Sequence, residues 1–268
     1  MVNKPKLAKP KITKPKIAKP KIAIVGLTSD EGCQFVLLDL GKKLFNLFKK
    51  VELINFSLIG SEDNPYPSEK IDVVFVEGVP ITQADINTLK YAREKAKILV
   101  ALGNCAALGG IPEMKNYQNK EKTIRFIYKN LKKVANPEIK EIDNFVKVDF
   151  VIPGCPINGE EFLKFADDLI YGKIPEICQS PVCVECHLRG TQDCFLAKKE
   201  ICLGPATLAG CEAICTKNEF HCLGCRGLLN KENARHFLNI LEKFGSKKDV
   251  EESLEIFGIK DDILESSK

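Results

Sequence analysis

The chain has 268 residues, 44% hydrophobic and 28% charged, with a net charge of +4. That length supports one large or two smaller domains with a real core, and no run reaches the roughly 18 apolar residues of a membrane span. Much of the positive charge lies in the first 21 residues, so no nucleic-acid surface is expected. Pro and Lys interrupt every apolar step near the N-terminus, so no secretory leader is expected and the cytoplasm is the expected compartment.

Residues 4–23 repeat the unit KPKxx, and over residues 1–20 proline at every fifth position forbids a helix and a paired central strand. A solvated, disordered Lys/Pro-rich tail is expected there. An alternation follows over residues 21–172. "KIAIVGL" reads as a strand and "EGCQFVLLDLGKKLFNLFKK" as one helix with apolar spacing near 3.6. "VELINFSLI" and the almost continuously apolar "IDVVFVEG" read as strands. "TQADINTLKYAREKAK" reads as a helix capped by Thr82. Then come a strand "ILVALGN", a helix "NKEKTIRFIYKNLKKV", a strand "VKVDFVIPG" and a helix "NGEEFLKFADDLIYG". The pattern predicts an α/β fold, a doubly wound parallel sheet with flavodoxin-like strand order. Residues 173–230 are rich in Cys, Gly and Pro with no long period, and a segment that small needs more than an apolar core to hold it. In residues 231–268, "KENARHFLNILEKFG" and "DVEESLEIFG" suggest two short surface helices.

Twelve cysteines dominate the composition, nine of them between Cys178 and Cys225. A cytosolic chain argues against a disulfide framework, and the crowding points to metal ligation. In open α/β sheets ligands bind beyond the carboxyl ends of the strands. Cys33, Cys105 and Cys155 each lie just past a predicted strand, so three thiols distant in sequence converge on one sheet edge, with Asp30 beside them. Gly26, Gly103, Gly109, Gly110 and Gly154 flank them and let backbone approach a bulky group. The carboxylates Asp30 and Glu31 would repel a phosphate, and no dinucleotide fingerprint or P-loop is present. Soft thiolates suit iron–sulfur clusters or zinc; three buried free thiols are the bland alternative. The C-terminal cysteines form two groups of four, Cys183, Cys186, Cys194 and Cys202, then Cys211, Cys215, Cys222 and Cys225. Two zinc ribbons are an alternative for these, against which the gaps are irregular.

The motifs "EGCQFVLLDL", "LGNCAALGGIPE", "IPGCPING", "CVEC" and "CLGPATLAGCEAIC…CLGCRG" resemble the small, electron-transferring subunit of [NiFe] hydrogenases, over about residues 21–227. The likeness is to the cytosolic, multi-subunit types: sulfhydrogenase or NADP-linked, and F420- or heterodisulfide-reductase-linked. The resemblance implies a flavodoxin-like domain, an irregular iron–sulfur domain and three [4Fe-4S] clusters. It also implies a large-subunit partner holding nickel and iron, and a further redox subunit, with flavin or iron–sulfur, as acceptor or donor. A proximal cluster falls on Cys33, Cys105 and Cys155, a medial one on Cys211, Cys215, Cys222 and Cys225, and a distal one on Cys183, Cys186, Cys194 and Cys202. Where the family has the first cysteine of a Cys-x-x-Cys pair, this chain has Asp30. Asp30 is expected as an oxygen ligand to the fourth iron, a harder donor of the same formal charge. The alternatives are that it only caps the helix starting near Glu31 and that the proximal site is three-iron. Cys178 is a spare thiol, His187 and His221 are surface groups or lie beside ligands, and His236 is structural. No nickel site is expected in this chain.

Other functions consistent with the residues are a complex I-like small subunit, which uses the sheet-edge cluster alone, a stand-alone ferredoxin-like carrier, and a zinc-stabilised interaction module.

Overall fold

A computed structural model gives the structure of the chain and describes residues 19–60, 70–118, 125–126, 133–190 and 193–265. Five parallel strands form the sheet: β1 Lys21–Gly26, β2 Glu52–Phe56, β3 Ile71–Glu77, β4 Ala96–Leu102 and β5 Phe150–Ile152. Their order is β2-β1-β3-β4-β5, the flavodoxin-like order expected. β3 and β4 are nearly all buried because both faces are covered, which explains their unbroken apolar runs. β1 pairs with β3 from Ile22–Val73 to Gly26–Glu77, so the loops beyond Gly26 and Glu77 leave the sheet side by side.

One face packs against helices α1 Gly32–Asp39 and α2 Lys42–Phe48, and against α6 Gly159–Ile170 further along the chain. α6 buries Phe162, Phe165, Ala166, Leu169 and Ile170, a 3.6-period stripe, and the Asn158 side chain accepts from its first-turn N–H groups. The other face packs against α3 Gln83–Lys95 through Leu89 and Ala92. Thr82 caps α3 as expected, in a reciprocal capping box with Asp85. Short helices α4 Asn104–Leu108 and α5 Gly110–Glu113 follow β4.

Two expectations for the sheet domain change, and a third lies largely beyond what the structure describes. The first helix is two, because Gly41 adopts a left-handed φ of 51° and turns the chain between α1 and α2. The strand expected over "VKVDFVIPG" shortens to Phe150–Ile152. The helix expected over "NKEKTIRFIYKNLKKV" falls largely outside the described residues.

The cysteine-rich segment contains α7 Val182–Leu188 and α8 Ile214–Lys217. Beyond it, the described residues hold three helices where two were expected: α9 Lys231–Leu241, α10 Lys247–Glu255 and α11 Ile259–Glu265. They are more than a surface addition. Leu241, Val250, Leu254, Ile259 and Ile263 form a buried core with Leu203 of the cysteine-rich segment. Among the described residues no helix is long and apolar enough to cross a membrane.

Candidate metal centres

The carboxyl edge of the sheet gathers the first group. Cys33 opens α1 just past β1, Cys105 lies in α4 just past β4, and Cys155 follows β5. Gly103 N–H donates to the Ile152 carbonyl and Asn104 N–H to that of Gly154, both at 2.8 Å, which locks the Cys105 and Cys155 loops together. Gly103 has φ 85°, and a Cβ there would overlap the Cys33 sulfur, so only glycine leaves the thiol its room. The negative charges of Asp30 and Glu77 act on both Cys105 and Cys155. Burial pushes the Cys33 thiol far up, that of Cys105 to about 11 and that of Cys155 to about 12. Left alone, such thiols keep their protons; they become thiolate donors only when a cation takes the charge.

Asp30 is exposed on this edge, and its Oδ1 accepts from Gly32 N–H at 3.0 Å. It is not the N-cap residue. Glu31 holds that position, in a left-handed conformation with no side-chain bond, so Asp30 reaches the first turn from one residue further out.

Eight of the nine remaining cysteines form two neighbouring groups. Cys183 lies within electrostatic reach of Cys186, Cys194 and Cys202. Cys225 lies within reach of Cys211 and Cys215, and Cys222 faces both Cys225 and Cys202. The groups touch where Cys222 N–H donates to the Cys202 sulfur at 3.4 Å. Burial raises Cys183 to about 11 and Cys222 and Cys225 to about 12. Cys178 stands apart, exposed, with its sulfur 3.0 Å from the Ser180 hydroxyl. His187 and His236 are exposed, and His221 packs edge-on to Phe195.

Among the described residues no three Cys, His, Asp or Glu side chains close on a single ion. A mononuclear zinc site needs four donors about 2.0–2.3 Å from one point. A cluster spreads its thiolates over several irons, and the donor set of sulfur with one carboxylate suits it. The bare backbone at Gly103 and the desolvated thiols fit such a group.

Several residues that shape the site were not singled out from sequence. Glu77, buried at the end of β3, accepts from Cys33 N–H at 2.8 Å and leaves its Oε2 without a partner. A carboxylate ending the apolar run Val73–Val76 at the same edge was the available signal. Glu185, between Cys183 and Cys186 in α7, accepts from Gly210 N–H at 2.8 Å and lies 3.8 Å from the Cys211 sulfur. Asn104 and Arg226 each adjoin a cysteine and are almost fully buried.

The family described as NADH ubiquinone oxidoreductase, 20 Kd subunit, matches residues 31–169. Sulfhydrogenase 2 subunit delta of Pyrococcus furiosus is 36% identical over 86% of this chain and 96% of its own length. An F420-non-reducing hydrogenase subunit of Methanocaldococcus jannaschii is 32% identical over 78% of this chain and 82% of its own. Among solved structures, a chain of the NAD+-reducing [NiFe]-hydrogenase in its H2-reduced state is similar with a TM-score of 0.51 at 25% identity, covering 59% of this chain and 94% of that one. The sheet order, the sheet-edge cysteines and these relatives agree: the chain belongs to the family of the NADH ubiquinone oxidoreductase 20 kDa subunit and, within it, is a [NiFe] hydrogenase small subunit.

Proposed function

We propose that this chain carries electrons between a large subunit's Ni–Fe site and a downstream redox subunit, in a cytoplasmic complex, by way of three [4Fe-4S] clusters. Cys33, Cys105, Cys155 and Asp30 would hold the proximal cluster. Cys211, Cys215, Cys222 and Cys225 would hold the medial one, and Cys183, Cys186, Cys194 and Cys202 the distal one. When bound, the clusters supply one-electron carriers whose potentials follow ligand type, hydrogen bonding and exposure. The chain's own part is to desolvate the thiols, to leave backbone room at Gly103 and to keep the three groups adjacent. The observation that carries this reading is the side-by-side placement of the groups, with Cys155 against Cys225 and Cys202 against Cys222. A reducing compartment fits twelve cysteines that are all unpaired.

The test is anaerobic co-purification with the untagged large subunit, then metal analysis and hydrogen uptake with an artificial dye. Beyond the one iron of the large subunit's Ni–Fe site, iron and acid-labile sulfide near twelve atoms each per chain, without zinc, are expected for three four-iron clusters. Zinc in place of iron, or iron near four, would overturn it. Iron near four is what a single sheet-edge cluster of the complex I type predicts, and eight further cysteines in two adjoining groups count against that reading.

Asp30→Cys tests the unusual donor. The expected outcome is unchanged iron content with the proximal midpoint potential moved by tens of millivolts or more, within the range that ligand changes produce. An unchanged proximal signal and potential would remove Asp30 from ligation.

A further inference from the structure

The geometry points to Asn104 and Arg226 as positioning residues that lock the Cys225 loop against the Cys105 and Cys155 loops and so set the spacing of the proximal and medial groups. This rests on the reading that both groups hold clusters. Asn104 immediately precedes Cys105. Its side-chain amide donates to the Cys225 carbonyl at 2.9 Å and to the Phe257 carbonyl at 3.2 Å. Its own N–H donates to the Gly154 carbonyl at 2.8 Å. One residue thus ties the loops after β4 and β5 to the medial group.

Arg226 immediately follows Cys225, and its side chain has 0% exposure. Its Nη1 donates to the Pro153 carbonyl at 2.8 Å, two residues before Cys155. Its Nε donates to the Ala209 carbonyl at 2.9 Å, two residues before Cys211. The fork closes on both Glu161 oxygens of α6 at 2.9 and 2.8 Å. Gly210, at φ 117°, makes room, since a Cβ there would overlap the guanidinium. Burying such a pair brings little net stability compared with apolar side chains of the same volume. A planar fork with four of its five N–H donors bonded does fix orientation, which an apolar contact or a lysine does not. The bonds to the Pro153, Gly154, Ala209 and Cys225 carbonyls each end within two residues of a proposed ligand, and between the anchored loops the Cys155 N–H lies against the Cys225 thiol.

The test uses the complex with its large subunit and two variants: Asn104→Ala, and Arg226→Gln combined with Glu161→Gln, which leaves no unpaired buried charge. Two quantities are read, iron per chain and the dipolar splitting between the reduced proximal and medial clusters by electron paramagnetic resonance. The splitting varies as the inverse cube of separation, and supports of this kind hold a site to within about 0.5 Å. Wild-type iron with a splitting shifted beyond the spread of repeat wild-type preparations in both variants is expected. Wild-type splitting in iron-replete variants would overturn the inference. So would loss of iron from both variants, which would make these residues folding determinants only. A wild-type complex lacking the two cluster signals would overturn the cluster reading itself, a result distinct from either.

Discussion

Gly103 has no side chain, yet its identity decides whether Cys33 has space. A methyl group there would strain a backbone at φ 85° and collide with the sulfur. Gly103→Ala is therefore expected to lose the proximal cluster selectively, about a third of the iron on the three-cluster reading, with the medial and distal signals kept. Iron analysis with spectroscopy checks this. Glu113, behind the same loop, makes a pH prediction. Burial first, and the Asp261 charge second, raise its carboxyl from 4.5 to about 8, and Tyr117 O–H donates to its Oε1 at 3.1 Å. Between those two pH values the folded chain holds a proton that the unfolded chain has released. The unfolded state binds fewer protons, so stability falls as pH rises through this window. Glu113→Gln stays neutral and is expected to flatten the profile, gaining about 4 kcal/mol on wild type at pH 8.5 but little at pH 5. Anaerobic melts at the two pH values measure it, and parallel profiles would refute it. At this scale residue type was legible in the sequence and burial was not. "CRG" gives no sign that Arg226 ends up among the most enclosed charges of the described residues.

Elements were legible where local chemistry decides them. Thr82 and Asp85 announce α3, and the unbroken apolar runs announce β3 and β4 as doubly covered strands. They were misread where one residue overrides a periodic pattern, as Gly41 does between α1 and α2. The C-terminal helices show a further limit. Periodicity marks an apolar face but does not say what it packs on. α10 is anchored by a Ser246–Asp249 capping box and buries Val250 and Leu254 against the same core as Leu203, next to Cys202. Leu254→Ala is expected to cost about 2–5 kcal/mol. Because Leu203 shares that core, proteolysis should then begin between Cys194 and Cys211. Equal protease resistance of that segment in wild type and variant would show that the helices do not support it.

At the scale of the whole molecule, alternation pointed to a doubly wound parallel sheet, of which the flavodoxin-like order was one choice, and the convergence of Cys33, Cys105 and Cys155 followed from each lying just past the carboxyl end of a strand. The contact of the cysteine-rich segment with the sheet edge did not, because it depends on buried side chains such as Arg226 meeting backbone carbonyls. The two parts differ in what holds them. The sheet carries two large apolar cores, one on each face. A core of the cysteine-rich segment is Val182, Cys202, Ala213 and Cys222, with Cys186, Phe195, Leu196 and Cys211 at its margin, so half of its members are themselves proposed ligands. Without iron those thiols keep their protons, and the segment has little apolar surface left to bury. Removing iron and sulfide by anaerobic chelation should therefore act unevenly. Amides of β1, β3 and β4 should keep their slow hydrogen exchange, while those from Val182 to Cys225 should lose protection by about a hundredfold or more, the signature of local opening beneath an intact domain. Reconstitution with iron and sulfide should restore it. Protection lost equally in both parts would make the sheet as dependent on metal as the segment, and protection kept in both would show that apolar packing and the Arg226–Glu161 pair hold the segment unaided.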